Sequence, residues 1–219
     1  MINKLVPSLR DAVAGIKDGA IVLCGGFGQV GEPVALLNAL RDTGVRDLIC
    51  VANNAGTGEE GLAGLIKDGR VRKVICSFPR TTDPHVFEAA YKAGRIELEV
   101  VPQGTLSERM RAGAAGIGGF FIRTAAGTKL GMGKETREIG GESYVLEEPI
   151  KADVALCRAD RADRWGNLTY RKSARNFNPV MAMAAALTVV QVREMVALGA
   201  LDPECIATPG IFVDRLVVA

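Results

Sequence analysis

Histidine is almost absent from this sequence of 219 residues, since His85 is the only one. Metal sites built on several imidazole ligands are therefore excluded, and we expect no bound metal. His85 stands at the start of a helical pattern, where a surface position is a better expectation than a role as catalytic base. The sequence assigns no chemistry to it.

Cysteine occurs five times, an odd number, and no two cysteines form a C-x-x-C pair. This pattern argues against both a disulfide framework and a zinc site. Most of the cysteines end apolar runs, so we expect buried thiols in a reducing compartment, the cytoplasm. They are Cys24, Cys50, Cys76, Cys157 and Cys205.

The sequence also lacks long apolar runs, many aromatic residues and an excess of charge. No run approaches the roughly 20 apolar residues of a membrane-spanning helix, and residues 1–10 lack the apolar segment of a secretory signal. Aromatic residues make up 5% and the net charge is +2, which leaves little for base stacking or for attraction to a phosphate backbone. We expect neither a membrane nor a nucleic acid as partner.

Short apolar runs alternate with helical patterns along most of the chain. Their spacing leaves room for a crossover helix and two loops, which predicts an α/β fold with a mainly parallel sheet flanked by helices. No linker or repeat divides residues 1–219, so we predict one domain. The predicted strands are residues 20–24, 47–51, 73–76, 97–101, 154–157, 167–170, 188–190 and 211–218. The predicted helices are residues 8–16, 33–41, 61–67, 84–93, 106–115 and 181–187, with an exposed hairpin at 134–148.

Residues 18–33, DGAIVLCGGFGQVGEP, combine an apolar run, a glycine-rich loop and Pro33 at the predicted start of a helix. Glycines let backbone N–H groups approach a ligand closely, and a helix start favours negative charge. The loop is therefore predicted to bind phosphate, pyrophosphate or carboxylate, and the alternative is a tight turn without a ligand. GFGQVG also spells the dinucleotide fingerprint, but the next strand is followed by Ala52-Asn53-Asn54 without the ribose-binding acid. A nucleotide-dependent oxidoreductase is thus disfavoured.

The same residues resemble the signature of the A subunit of family I coenzyme A transferases: an Asp-Gly, three small or apolar residues, Gly-Gly-Phe and Gly-x-Pro. Other motifs of that family follow in the same order along nearly the whole chain. They are NNAG at 53–56, PQGTL at 102–106, ERMRAG at 108–113 and KSARNFNP at 172–179. The resemblance implies the CoA-transferase (NagB/RpiA-like) fold. The family's T-P-T-G-x-G-T is altered to IRTAAGT at 122–128, so no function is carried onto that loop.

The resemblance also implies which residues meet the substrates. Asn53 matches a substrate-contacting asparagine whose amide can donate to an oxyanion, and Gln103 resembles a glutamine near the substrate carboxylate. Considered without the resemblance, residues 53–56 also fit a simple turn, and Gln103 also fits a polar loop residue. A coenzyme A thioester is then a substrate, and no cofactor is expected to stay bound. The loop assigned to CoA corresponds to Gly25, Gly26, Phe27, Gly28, Gln29, Val30 and Gly31.

Glu32, inside the glycine loop, is the candidate nucleophile when this chain is considered by itself. An acid at a helix N-terminus is also stabilised by the helix dipole, which is the simpler explanation for this residue. In the resembled family the nucleophilic glutamate belongs to the B subunit, and Glu32 falls on a variable position of the signature. We therefore expect no nucleophile here, and activity only in a heterodimer or heterotetramer with the B subunit. A non-catalytic binding module is the remaining alternative for this chain.

Three segments bear on the choice of acid substrate. Residues 76–80 (CSFPR), 134–139 (KETREI) and 164–172 (RWGNLTYRK) resemble the branch of the family that moves CoA from succinyl-CoA to 3-oxoadipate. Arg80 is either a bidentate partner for the extra carboxylate of such an acid or a solvated arginine beside a turn. Acetoacetate is the alternative acceptor, because NNAG and SARNFN are shared with the succinyl-CoA:acetoacetate enzymes.

Overall fold

The computed structural model describes residues 2–219 as two β-sheets and their helices. Met1, the first residue of the segment expected to lack a secretory signal, lies outside the described residues. The strands are β1 (Ile21–Cys24), β2 (Leu48–Asn54), β3 (Val71–Phe78), β4 (Glu97–Val100), β5 (Phe120–Ile122), β6 (Thr136–Ile139), β7 (Glu142–Glu147), β8 (Ala152–Ala162), β9 (Leu168–Thr169), β10 (Ala185–Met195) and β11 (Arg215–Val218). The α-helices are α1 (Leu9–Ala12), α2 (Val34–Asp42), α3 (Gly61–Lys67), α4 (His85–Lys92), α5 (Gln103–Ala115) and α6 (Asn178–Met183).

The large sheet has the strand order β11-β10-β8-β1-β2-β3-β4, and all neighbours along it are parallel. Only β9 departs from this, because it pairs with β8 in the antiparallel sense. The prediction of an α/β fold with a mainly parallel sheet is therefore confirmed. Parallel strands carry helices on both faces, which is why their sequences are nearly continuous apolar runs.

Side chains along the central strands alternate between two helical layers. Val22 of β1 packs in the cluster that contains Leu36 of α2, on the face covered by α1 to α4. Leu23 points to the other face, into the cluster that contains Met110 of α5. Successive side chains of a central strand thus pack into opposite layers, as the two-residue period of a strand requires.

The chain changes direction across the sheet at β1. From β1 it adds β2, β3 and β4 on one side, and it then returns to place β8 and β10 on the other side. Ligands of open α/β sheets bind at such a switch point, beyond the carboxyl ends of the strands. The glycine loop leaves β1 at this point.

The elements nearest the predicted site extend further than their apolar patterns indicate. β2 continues to Asn54 and β3 to Phe78, so Asn53 lies within a strand rather than after one. Pairing between Asn54 and Phe78 carries both strands past the ends of their apolar runs. Helix α5 begins at Gln103, earlier than the predicted start at Leu106. Gln103 is therefore a helical residue and not a loop residue.

Some predicted boundaries elsewhere were wrong. The helix predicted at 181–187 ends at Met183, because Ala185 already pairs with Ala152 of β8. The strand predicted at 211–218 begins later, after a 3-10 turn over Gly210–Phe212. Helix α1 is shorter than predicted, although Ser8 caps it as expected by accepting a hydrogen bond from the Asp11 N–H. Helix α3 has the predicted bounds.

The hairpin predicted at 134–148 is part of a small antiparallel sheet with the order β5-β7-β6. Glu147 of β7 is buried and accepts a hydrogen bond from Lys134 Nζ. Arg109 of α5 lies 3.9 Å from the same carboxylate and 2.9 Å from Glu99. These ion pairs attach the small sheet to the large one, so Lys134 has a structural role.

Asn178, the first residue of α6, connects the glycine loop to the sheet. Its side chain is fully buried. Its Oδ1 accepts a hydrogen bond from Arg158 N at 2.9 Å, and its Nδ2 donates to Gly31 O at 3.2 Å and to Ala174 O at 3.1 Å. Gly25 must lack a side chain for this contact, because a Cβ there would overlap with Asn178 Oδ1.

Replacing Asn178 should therefore destabilise the protein strongly. Asn178→Ala leaves the Arg158 N–H and the Gly31 carbonyl without their partner, and we expect the free energy of unfolding in urea to fall by about 2–4 kcal/mol. The matched control is Asn3→Ala, which removes an exposed side chain that accepts only from Leu5 N and should cost less than about 0.5 kcal/mol. Equal effects of the two changes would contradict this account.

Candidate functional site

The glycine loop presents unpaired backbone donors at the carboxyl end of β1. Phe27 and Val30 pair with each other, N to O in both directions, at 3.0 and 3.2 Å. Four other N–H groups of the loop have no acceptor among residues 2–219. They belong to Gly26, Gly28, Gln29 and Gly31. Such a run of free amides at a strand-to-helix turn is suited to an anion or to a polarised carbonyl oxygen.

Close packing explains three of the four loop glycines. Besides Gly25, a Cβ on Gly26 would lie 3.1 Å from the backbone of Glu32, and one on Gly31 would lie 2.6 Å from Ala174 O. Gly28 is different, because a Cβ there would meet nothing within 4 Å, and its φ of +59° is one that glycine adopts readily. Gly28 is the position where a ligand can approach the backbone directly.

Asn53 lies near the end of β2, and only the oxygen of its side-chain amide is hydrogen-bonded. It is 5% exposed. Its Oδ1 accepts hydrogen bonds from Ser77 Oγ of β3 at 2.9 Å and from Gln103 Nε2 of α5 at 2.8 Å. Its Nδ2 has no acceptor among residues 2–219, so this donor is fixed in direction and free.

The structure therefore brings two of the predicted substrate residues, Asn53 and Gln103, into direct contact. Sequence reasoning missed the part played by Ser77, although its position at the end of the neighbouring strand was a usable signal. Asn54 has a different role, because its Oδ1 accepts from Gly56 N at 2.9 Å and closes a turn. Arg80 stands apart, exposed on the loop after β3, and forms no ion pair or side-chain hydrogen bond within residues 2–219.

Glu32 does not point at the helix that follows it. Its carboxylate accepts a hydrogen bond from Leu62 N at 3.1 Å, at the start of α3. Gly61 leaves room for it, because a Cβ there would lie 2.5 Å from Glu32 Oε1. Burial raises the pKa of Glu32, and the bond from Leu62 N opposes that shift in part. The carboxylate thus binds at the start of α3, rather than at the helix that follows it in the chain, and ties the glycine loop to α3.

The loops after β2 and β3 are also joined to each other. Thr81 Oγ1 donates to Gly56 O at 3.1 Å, and Gly58 N donates to Asp83 O at 3.0 Å. His85 is exposed, as expected, and its Nδ1 lies 2.6 Å from Asp83 Oδ1. The carboxylate of Asp83 raises the pKa of His85. These contacts hold the two loops together beside Asn53.

The cysteines are free thiols, and four of them are buried as expected. Burial raises the pKa of Cys76 and of Cys157 to about 12, so these thiols are unreactive near neutral pH. Cys205 is exposed, which corrects the expectation for that residue. Within residues 2–219, no group of three or more His, Cys, Asp or Glu side chains is arranged to hold a metal ion. None of the helices in the same range has the length and apolar character needed to cross a membrane.

The sequence matches a family model described as coenzyme A transferase over residues 6–219. The chain belongs to the coenzyme A transferase family. Members of this family use coenzyme A thioesters as substrates, so the resemblance of the glycine loop and its companion motifs is confirmed at the level of the family.

Two relatives and one solved structure show how close the similarity is. The chain is 59% identical over 217 residues to the A subunit of 3-oxoadipate CoA-transferase of Pseudomonas putida, a match that covers 99% of this chain and 94% of that one. It is 50% identical over 210 residues to the A subunit of succinyl-CoA:3-ketoacid coenzyme A transferase of Xanthomonas campestris, with coverage of 95% and 86%. Glutaconate coenzyme A-transferase from Acidaminococcus fermentans shares the fold, with a TM-score of 0.86 at 22% identity, over 99% of this chain and 75% of that one.

The buried charge of Glu32 predicts a pH dependence of stability for this transferase chain. A carboxyl group with a higher pKa in the folded than in the unfolded protein costs stability as the pH rises above its unfolded pKa, and the cost is complete above its folded pKa. Glu32→Gln keeps an acceptor for Leu62 N but removes the charge. Its free energy of unfolding should therefore fall less than that of the wild type as the pH rises from about 4.5 to about 8.

Urea unfolding at a series of pH values measures this difference. Glu148→Gln is the control, because Glu148 is exposed and its side chain forms no ion pair within residues 2–219. The control should follow the wild-type profile. Parallel profiles for Glu32→Gln and the wild type would show that burial of the charged carboxylate does not lower the free energy of unfolding.

Proposed function

We propose that this chain, as one domain spanning residues 1–219, is the A subunit of a CoA-transferase that moves CoA from succinyl-CoA to 3-oxoadipate. The B subunit supplies the nucleophilic glutamate, and the two form a heterodimer or heterotetramer. The observation that carries the proposal is the arrangement at the carboxyl edge of the sheet. There, the free N–H groups of the glycine loop stand at the end of β1, and the free amide donor of Asn53 stands near the end of the adjacent β2.

The proposed reaction moves CoA without a bound cofactor. The B-subunit glutamate carboxylate attacks the thioester carbonyl of succinyl-CoA, the C–S bond breaks, and a mixed anhydride and CoA thiolate form. The thiolate then attacks the glutamyl carbonyl, which releases succinate and leaves CoA on the enzyme as a thioester. The same two steps in reverse, with 3-oxoadipate in place of succinate, give 3-oxoadipyl-CoA. Covalent catalysis of this kind divides one difficult exchange into easier steps.

This chain contributes binding and polarisation to that sequence. Each attack on a carbonyl carbon places negative charge on its oxygen, and a fixed donor in a water-poor site stabilises that charge. Asn53 Nδ2 fits this role, because Ser77 and Gln103 hold the opposite end of the amide. The loop at residues 25–31 is the proposed contact for CoA, with Gly28 as the point of close approach.

The identity of the acid rests on the relatives and on one side chain. The relative from Pseudomonas putida is named for 3-oxoadipate, and that from Xanthomonas campestris for a 3-ketoacid. Arg80, which has no ion-pair partner within residues 2–219, stands on the loop after β3, the strand that carries Ser77. A guanidinium there is the proposed partner of the second carboxylate of 3-oxoadipate. The free thiols support the proposal of a cytoplasmic enzyme.

Assays of the chain with and without a co-expressed B subunit test the proposed function. The isolated chain should transfer no CoA, and the assembled enzyme should use 3-oxoadipate in preference to acetoacetate. Arg80→Gln should lower kcat/KM for 3-oxoadipate by roughly tenfold and leave acetoacetate unaffected. A preference for acetoacetate would favour the succinyl-CoA:acetoacetate alternative. Turnover by the isolated chain, lost in Glu32→Gln, would place the nucleophile in this chain.

The role of Asn53 predicts a contrast with its neighbour. Asn53→Ala should lower kcat far more than it raises KM, because loss of one oxyanion donor costs about 3–4 kcal/mol, or a hundred- to a thousandfold in rate. Asn54→Ala is the matched control, since Asn54 only closes the turn at Gly56 and should cost much less. Steady-state kinetics of the assembled variants measure both values. Equal and small losses of kcat would mean that both asparagines only stabilise the turn.

A further inference from the structure

A second polar surface adjoins the glycine loop on the side away from Asn53. It is a cleft of about 260 Å³ between residues 29–31 and the ends of β8 and β10. Its lining carries several arginines and only one acid. The polar side chains that line it are Gln29, Arg158, Asp160, Tyr170, Arg171 and Arg193.

The length of β8 places these arginines beside the loop. The last residue of β1, Cys24, pairs with Leu156, so Arg158 and Asp160 lie on the part of β8 that continues past the end of β1. The Arg158 N–H is bonded to Asn178 Oδ1, and Asn178 Nδ2 is bonded to Gly31 O. The backbone of Arg158 and that of the glycine loop are thereby fixed relative to each other.

The cleft carries more positive charge than its own acid neutralises. Asp160 is paired with Arg193, at 2.8 Å from its Nε, and Arg193 also binds Glu194 at 3.0 Å. Arg158 and Arg171 form no ion pair within residues 2–219. Both side chains are exposed, so their guanidinium groups are available to a ligand.

We infer that this cleft is a phosphate subsite and that Arg158 and Arg171 bind the phosphate groups of coenzyme A. The inference rests on the proposed function and extends it to the nucleotide end of the substrate. Guanidinium groups bind phosphate through charge-assisted, often bidentate hydrogen bonds, and the free N–H groups of the adjoining loop add further donors.

The position of the cleft favours phosphate over the carboxylate of an acid substrate. Asn53 lies on β2, which is separated from β8 by β1, and two strand spacings amount to about 10 Å. Gln103 follows β4, further away on the same side as β2. Coenzyme A is long and carries its phosphates at the end opposite its thiol. With the thioester at Asn53, its pantetheine arm can cross the glycine loop, and its phosphates can reach the cleft.

Binding measurements on the assembled enzyme test the subsite. The probes are coenzyme A and pantetheine, which has the thiol but no phosphate, titrated into wild type, Arg158→Gln, Arg171→Gln and the double variant. The double variant should bind coenzyme A at least roughly tenfold more weakly and pantetheine as the wild type does. Arg72→Gln is the control, because Arg72 is also an exposed strand arginine without an ion pair within residues 2–219, and it lies near the amino end of β3.

Three results would overturn the inference: unchanged affinity for coenzyme A in the double variant, an equal loss for pantetheine, or a loss confined to the KM of the acid substrate. The third would assign the arginines to a carboxylate. Failure of the proposed function is a separate result, because it appears as binding of coenzyme A by the wild type without transfer to any 3-oxo acid. The comparison between coenzyme A and pantetheine still decides the subsite in that case.

Discussion

The hydrogen bonds of one buried carboxamide determine the shape of the candidate site. Asn178 accepts from the backbone of β8 and donates to the end of the glycine loop, and these two segments otherwise belong to opposite sides of the switch point. A buried group that loses its partner bears its full desolvation cost, so the bonds are obligatory once the side chain is enclosed. Gly25 must lack a side chain because a Cβ there would overlap with Asn178 Oδ1. The position of the glycine loop is therefore fixed relative to the backbone of Arg158.

A similar constraint fixes Asn53. Both partners of its side-chain amide bind the oxygen, and the nitrogen has no acceptor within residues 2–219. Ser77 and Gln103 come from different elements, β3 and α5, and both donate to the same oxygen. In the proposed function, this free nitrogen needs no rearrangement at the moment of reaction, which is the condition under which a dipole stabilises developing charge most effectively.

The sequence pattern predicts what depends on local periodicity and fails where contacts between distant segments decide. The apolar run of β1, the glycine loop and the bounds of α3 follow from local composition, and so does the parallel sheet. The end of β2 does not, because Asn53 and Asn54 are polar and remain in the strand only through their pairing with β3. The partner of Glu32, the exposure of Cys205 and the bonds of Asn178 also arise from segments far apart in the chain. The motif resemblance found Asn53 and Gln103, but not their contact.

The chemistry at the carboxyl edge supports the proposal that a partner supplies the nucleophilic carboxylate. The groups of this chain that the proposed function directs at the substrates are donors: loop N–H groups, the Asn53 amide and the Arg80 guanidinium. A carboxylate of this chain held among such donors would be stabilised as an anion and would be a weaker nucleophile. Glu32 avoids that setting by burying its carboxylate against Leu62 N. A glutamate that arrives from a second polypeptide can meet the thioester carbon while the donors of this chain remain directed at its oxygen. In the proposed enzyme, attack and charge stabilisation thus come from separate chains, on different sides of the reacting carbonyl.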